Sequence, residues 1–399
     1  MSEWKEYKLG DAPLWIIDGD RGKNYPSQNE FQNCGYCLFL STKNVRPYGF
    51  DFSDCQFISY EKDQLLRKGK LNRYDLVLTT RGTVGNVGYY SDNVQYENIR
   101  INSGMVIIRP KIEFLFPKFN FYIFRHLQKD FATFTTGSAQ PQLPIRDLNE
   151  IEILLPPLSE QKSIASILSS LDDKIDLLHR QNATLEKMAE TLFRQWFVEE
   201  AKEEWEEVEL EKLIDVVIDN RGKTPPTVDF PTDYPLIEVN ALNSNSCLVD
   251  YSVIRKYVNK ETYDNWFRKH LKVNDIIIST VGTIGVFSIH LVDKGCIAQN
   301  LVGLRSNSIS SYFIYNFFKT NVETLINLDI GGVQPSIKVP HLLGLIIKYP
   351  PYELLRKYDE SVEIYFNKIA KNQTQIRTLT ALRDTLLPKL MSGEVRVQS

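Results

Sequence analysis

Apolar positions along this chain follow two different rhythms, and each rhythm occurs twice. Over residues 1–154, and again over 202–348, short β-rich runs such as YDLVLTTRGTVGNVGYY and MVIIRP are broken by Gly, Pro, Asn and Asp. That is the pattern of strands and turns. Each stretch closes on a proline pair, Pro156-Pro157 and Pro350-Pro351, and the sequence after it has a helical period and few breakers. Proline suits the start of a helix and not its interior. The spacing therefore predicts helices over 159–201 and 353–390. Ser159 is the expected N-cap of the first, with Glu160 near the positive end of the helix dipole.

In the first helix the apolar seam runs Ile164, Leu168, Leu171, Ile175, Leu178, Asn182, Leu185, Ala189, Leu192, Trp196. In the second it runs Tyr358, Val362, Tyr365, Ile369, Asn372, Ile376, Leu379, Arg383, Leu386, Leu390. The steps alternate four and three, which is a heptad seam and narrower than an ordinary amphipathic face. An antiparallel pairing with Asn182 opposite Asn372 sets Leu178 on Ile376, Ile175 on Leu379, Leu185 on Ile369, Leu168 on Leu386 and Leu192 on Val362. Small Ala189 then meets large Tyr365, and only Leu171 against Arg383 is mixed. Any slip faces each asparagine with an aliphatic side chain, an unsatisfied amide costing about 1–3 kcal/mol. The expectation is an antiparallel coiled coil, a rod of roughly 60 Å for about 40 residues. The alternative is that each helix packs separately on its own globular domain.

The repetition extends beyond the rhythm. DLVLTTRGTVG (75–85) returns as DIIISTVGTIG (275–285), DGDRGKNYP (18–26) as VIDNRGKTPP (217–226), and GSAQPQLP (137–144) as GGVQPSIKVP (331–340). A tryptophan opens each copy, Trp4 and Trp205. The period of about 195 to 200 residues is too long for a solenoid, whose repeats run to about 50. It describes a duplicated domain followed each time by a helix, an α+β arrangement with pseudo-twofold symmetry.

Composition changes this picture little. The chain has 399 residues, 43% hydrophobic and 12% aromatic, as in an ordinary folded protein. No apolar run approaches the roughly 20 residues of a membrane span. The N-terminal MSEWKEYKLGD has no apolar core of a signal peptide. Five cysteines without an even framework indicate a reducing compartment, and the expected location is the cytoplasm, away from membranes. A net charge of −3, from 47 basic and 50 acidic side chains, argues neither for nor against nucleic-acid binding, because local clusters and partner subunits can supply phosphate contacts.

LPPLSEQKSIASILSSLDDKIDLLHRQNATLEKMAETLFRQWF (155–197) resembles the central conserved region of the specificity subunits of type I restriction-modification enzymes. LLPKLMSGEVRV (386–397) is similar to their C-terminal conserved region, and the two GT[VI]G segments look like the recurring turn of their target recognition domains. The resemblance covers the whole chain in the right order. It implies two β-rich target recognition domains, 1–154 and 202–348, each reading one half of a split site in double-stranded DNA. A central conserved helix, 155–201, and a C-terminal helix and tail, 349–399, would separate them and dock two modification (methyltransferase) subunits. Through that complex, dependent on ATP and S-adenosylmethionine, the chain would meet the restriction/translocase subunits and act in phage defence. The implied role is non-catalytic and needs no cofactor of its own.

The residues expected at DNA are the polar and basic ones repeated in both halves. Arg21 and Lys23, with Arg221 and Lys223, sit in Gly-containing turns and suit phosphate or guanine. RKGKLNR supplies Arg67, Lys68, Lys70 and Arg73, and RKHLK supplies Arg268, Lys269 and Lys272. Thr79, Thr80, Arg81 and Thr83 lie at the repeated strand end and turn, with Ser279, Thr280 and Thr283 as counterparts. Gln140 and Gln334 occupy matching loops. Readers of different half-sites must differ where they touch bases. The shared set therefore positions the DNA backbone, or simply serves the fold, while differences such as Arg81 against Val281 are the candidates for reading bases.

The remaining motifs point away from chemistry. CGYC (34–37) has redox or zinc spacing, but a strand-like run follows it and no second pair completes a zinc site, so inert thiols are expected and no metal. YPPYE (349–353) has the outline of the [Asp/Asn/Ser]-Pro-Pro-[Tyr/Phe] motif of amino-methyltransferases. Its first residue, Tyr349, is not the polar group that motif needs, and no glycine-rich cofactor loop lies upstream. GTVGNVG lacks the lysine and Ser/Thr of a phosphate loop. The competing readings are a self-contained DNA adenine methyltransferase with its own recognition domain, and a scaffold without a nucleic-acid role.

Overall fold

The run LVLT forms the strand Leu76–Thr79, and every residue of it is buried. A strand covered on both faces reads as a continuous apolar run and not as an alternation. Here Leu76 and Leu78 face a core containing Phe119, Tyr122 and Phe124, whereas Val77 faces another containing Leu38, Leu40 and Ile101. In the second copy Ile276 and Ile278 lie in a core with Phe313 and Phe318, and Ile277 in one with Ile237 and Ile297.

The structure is a computed structural model and describes residues 4–47, 49–135, 141–220, 222, 224–242 and 246–397. It divides into two units, residues 1–173 with 380–399, and residues 174–379. In the first, an antiparallel four-stranded sheet has the order Leu14–Asp18, Met105–Pro110, Leu76–Thr79, Val87–Tyr89. Against it lies a three-stranded sheet of Phe57–Ile58, Cys37–Leu40 and Ile99–Ile101, the last pair parallel. Lys5–Lys8 pairs with Glu152–Leu155. The second unit has the same plan: Val216–Ile218, Leu301–Arg305, Ile276–Ser279, Phe287–Ile289. It also has a three-stranded sheet of Tyr257–Val258, Tyr234–Ile237 and Cys296–Ile297, and Glu206–Glu209 paired with Ile346–Tyr349. The duplication seen in the motifs is thus a duplication of topology.

Each unit is mixed helix and sheet, less purely β than its sequence implied. PKFNFYIFRHL is rich in aromatics that favour strands, yet it forms the helix Pro117–Leu127, because Phe119, Tyr122 and Ile123 fall on one buried face. Its counterpart is Ser311–Thr320, capped by the Ser310 hydroxyl, which accepts from the Phe313 N–H at 3.1 Å.

The two long helices span Leu158–Arg194 and Tyr352–Met391. Ser159 is not the cap: the Gln161 N–H binds the Pro157 carbonyl at 3.0 Å, so the helix starts one residue before it. The first helix leaves α geometry after Arg194 in a π-helical turn, Gln195–Glu199, where Phe197 is buried against Trp205 and Tyr358. Within the second unit, Ala189, Phe193, Tyr358, Val362 and Ile369 belong to its core. Within the first, Ile164, Leu168, Leu387 and Leu390 do the same. Asn372 Nδ2 donates to Asn182 Oδ1 at 2.8 Å. Arg383, the mixed position of the seam, turns to Asp172 at 2.9 Å. Gly393, at φ +75°, ends the second helix in the left-handed region. Beyond it Arg396 pairs with Glu160 at 2.7 Å, and Trp4 Nε1 donates to the same carboxylate at 3.1 Å. Among the described residues no helix is long and apolar enough to cross a membrane.

Candidate nucleic-acid interface

In the first unit the basic turn and the basic loop are tied together by one side chain. The Asp20 carboxylate accepts from the N–H groups of Gly22 and Arg67, both at 2.7 Å, and of Lys68 at 3.4 Å. These hydrogen bonds, that from Gly22 foremost, hold its carboxyl below the usual range. Arg21 and Lys23 thereby share a surface with Arg67 and Lys68, all four exposed. Arg21 also pairs with Asp18 at 3.1 Å. In the second unit Asn220 takes the place of Asp20: its Oδ1 accepts from Arg268 N–H at 3.2 Å and its Nδ2 donates to the Lys269 carbonyl at 3.4 Å. Arg221 and Lys223 lie outside the described residues, and Gly222 between them is exposed.

Alanine at position 20 is expected to cost about 1–3 kcal/mol, because three N–H groups lose their acceptor, and asparagine less. The depressed pKa makes the Asp20 contribution full above the unfolded carboxylate value near about 3.9 and lost as pH falls through the lower folded value. Both variants should therefore flatten the acid limb of stability in urea titrations run between pH 7 and pH 2. An unchanged acid limb counts against this role.

A second device, repeated in both units, sets the height of the basic loops. The Arg109 guanidinium forks onto Asp75 at 2.7 and 2.9 Å and donates to the Lys70 carbonyl at 3.1 Å. Arg305 does the same with Asp275 at 2.6 and 2.7 Å and the His270 carbonyl at 2.9 Å. The loops meet the strands through left-handed Tyr74 and Asn274, at φ 74° and 72°. Sequence reasoning missed these four charged residues. Their signal was present: an aspartate heads each repeated strand, and an arginine ends both MVIIR and LVGLR.

The repeated turn and the repeated loop also come together. Arg81 bridges to Gln142 in the first unit and Val281 to Ser336 in the second. The Leu143 N–H binds the Thr80 carbonyl at 2.9 Å, and the Ile337 N–H binds that of Thr280 at 2.8 Å. Gly82 and Gly282, at φ +72° and +83°, permit the tight turn. Arg81, Thr83, Thr283 and Gln334 are exposed there, whereas Gln140 lies outside the described residues.

Other candidate side chains turn inward. Thr79 and Thr80 are buried; Thr79 Oγ1 binds the Thr83 carbonyl and accepts the Asn86 N–H, and Thr80 Oγ1 donates to the Gly104 carbonyl. Ser279 and Thr280 are buried in the same places. Lys70 is paired with buried Asp63 at 2.6 Å. Arg73 donates to the Ser91 and Val94 carbonyls and stacks on Tyr90. Lys269 Nζ donates to the Val217 carbonyl at 2.9 Å, and Lys272 is exposed.

CGYC splits between an exposed Cys34 and a Cys37 buried in its strand, where burial pushes the thiol up to about 12. YPPYE is a strand end and a helix start: Tyr349 pairs with Glu206, and the Pro351 carbonyl accepts from Leu354 and Leu355.

A fold built twice, with each basic loop tied by the same arginine–aspartate fork and the same turn carrying different side chains, defines a chain with two recognition domains of one topology. The chain belongs to the type I restriction modification DNA specificity domain family, whose model matches residues 1–187 and again 202–381. Among its relatives, the type I restriction enzyme MjaIX specificity subunit of Methanocaldococcus jannaschii is 27% identical over 99% of this chain and 89% of its own length. The type I restriction enzyme HindI specificity subunit of Haemophilus influenzae is 22% identical over 99% of this chain and 100% of its own. The crystal structure of the S subunit of a type I restriction-modification system from M. genitalium has the same fold, with TM-score 0.59 at 16% identity over 98% of this chain and 96% of its own.

Proposed function

We propose that this chain is the non-catalytic DNA-recognition subunit of a type I restriction-modification complex. Its target recognition domains, 1–154 and 202–348, each read one half of a bipartite site in double-stranded DNA. The helical segments 155–201 and 349–399 pair as an antiparallel coiled coil with pseudo-twofold symmetry, set the gap between half-sites and dock two modification subunits. The restriction/translocase subunits join through that complex, which uses ATP and S-adenosylmethionine in the cytoplasm. The observation that carries this reading is the doubled topology with unlike residues at one exposed turn, Arg81 and Val281. Arg21, Lys23, Arg67 and Lys68, with Arg268 and Lys272, grip phosphates, and Thr83, Thr283 and Gln334 face the bases. A guanidinium such as that of Arg81 suits the O6/N7 edge of guanine. A self-contained adenine methyltransferase is disfavoured, since YPPYE serves as a helix start.

The test is methylome sequencing of cells that express the chain with its modification subunits. A split motif with a constant gap is expected, and Arg81→Val should relax one G·C position in one half only, lowering discrimination by about 1–3 kcal/mol. Methylation by the chain alone, or a change in both halves, would count against the reading.

A further inference from the structure

In the second unit a cleft of about 640 Å³ opens where the repeated turn meets its loop, and three carboxamide side chains line it: Gln299, Asn300 and Gln334. Among the described residues none of the three amides has a hydrogen-bond partner, although the backbone around each is held firmly. The Asn300 carbonyl accepts from the Thr280 N–H at 3.0 Å and from its hydroxyl at 3.3 Å. The Gln334 loop is closed by Asp329, which accepts from the Gly331 and Ser336 N–H groups, both at 2.8 Å. Gly331 is required there, because a Cβ would stand 1.9 Å from the Gln334 carbonyl oxygen. The Gly282 N–H binds the Pro335 carbonyl at 2.9 Å, and the Gln334 amide rests on Gly282. These are unengaged donor and acceptor groups on a braced backbone.

Among the described residues the lining suits a neutral polar partner better than phosphate. Lys256, the cation that lines it among the described residues, is paired with Glu238 at 2.9 Å. Among the described residues, which leave out Gln140, the first unit has no matching amide set: Asn102 Oδ1 already accepts from the Gly104 N–H at 2.9 Å, and Arg81 presents a cation at the turn.

We infer that Gln299, Asn300 and Gln334 read base edges in the half-site of the second domain, and that the bases they read are adenines. A carboxamide can accept from adenine N6 and donate to N7 at once, a pairing that guanine does not offer. The inference rests on the recognition role proposed above and adds the residues and base class of one half-site.

The test uses the full chain with its modification subunits and methylome sequencing as the readout. The wild type must first yield a bipartite motif; if it yields none, the recognition role fails irrespective of the cleft. Gln299→Ala, Asn300→Ala and Gln334→Ala are each expected to make an A·T position of one half-site degenerate. Discrimination there should fall about 10- to 100-fold, while the other half and the gap stay as they were. Gln334→Glu keeps the shape but can only accept, so it should shift the preferred base from adenine towards cytosine, whose N4 donates. Unchanged motifs, degeneracy at a G·C position, or uniform loss of methylation in the alanine and glutamate variants alike would overturn the inference.

Discussion

Replacing Arg100 with alanine is expected to destabilise the first unit by about 3–5 kcal/mol, the effect of breaking a buried ion pair on one side. Arg100 is 5% exposed. Its Nε lies 2.5 Å from Asp63 Oδ1, and its other nitrogens donate to the carbonyls of Asp63, Leu66 and Lys68 at 2.7 to 3.1 Å. Without it the fully buried Asp63 carboxylate keeps Lys70 at 2.6 Å and the Gln64 amide at 3.2 Å. The segment that presents Arg67 and Lys68 also loses three of its ties. Among its described residues the second unit has no such pair, since its corresponding strand is Cys296–Ile297. Hydrogen exchange on the full chain should thus show lost protection around 60–71 and 99–101, with peptides of 230–300 unaffected. Removing both charges as Asp63→Leu with Arg100→Met should cost much less. A loss below about 1 kcal/mol for Arg100→Ala would refute the assignment of this pair as the strut of the basic loop.

The second large effect concerns the asparagines of the long helices. Asn372 is 0% and Asn182 6% exposed, and one hydrogen bond of 2.8 Å joins their amides. Asn372 Oδ1 has no partner among the described residues, so the pair is only partly satisfied. Leucine at 372 alone leaves the Asn182 amide facing an apolar side chain, at an expected cost of about 1–3 kcal/mol. Leucine at both should leave the melting temperature unchanged or higher, because a polar pair in a heptad seam fixes register at some expense of stability. Thermal melts of the two single variants and the double variant form the cycle. Additive losses in the double variant would show that the two amides do not act as a pair.

Each helix seam could be read before any fold was known, because heptad spacing decides locally which face is apolar. An asparagine on that face needs a polar partner wherever the helix packs. Only the structure showed that Arg383 leaves the seam for Asp172, or that Tyr358 and Leu168 each sit in the core of their own unit. The doubled motifs likewise announced a doubled domain, since strand runs and glycine turns are local features. The helix Pro117–Leu127 was hidden because its aromatics favour strands, and packing overrode that propensity.

The sequence by itself determined the family, the repeat, the two long helices and which stretches are basic. It did not determine which of those polar side chains are available to a ligand. Thr79, Thr80, Ser279, Thr280, Lys70 and Arg73 read like surface residues, yet they are buried or already bound to groups inside the fold. Their neighbours Arg81, Lys68 and Gln334 stay exposed. The reason is range. A hydrogen bond such as that from Thr80 to Gly104, or from Arg109 to Asp75, joins positions that only the closed sheet brings together, and no local pattern of polarity records where such a partner stands.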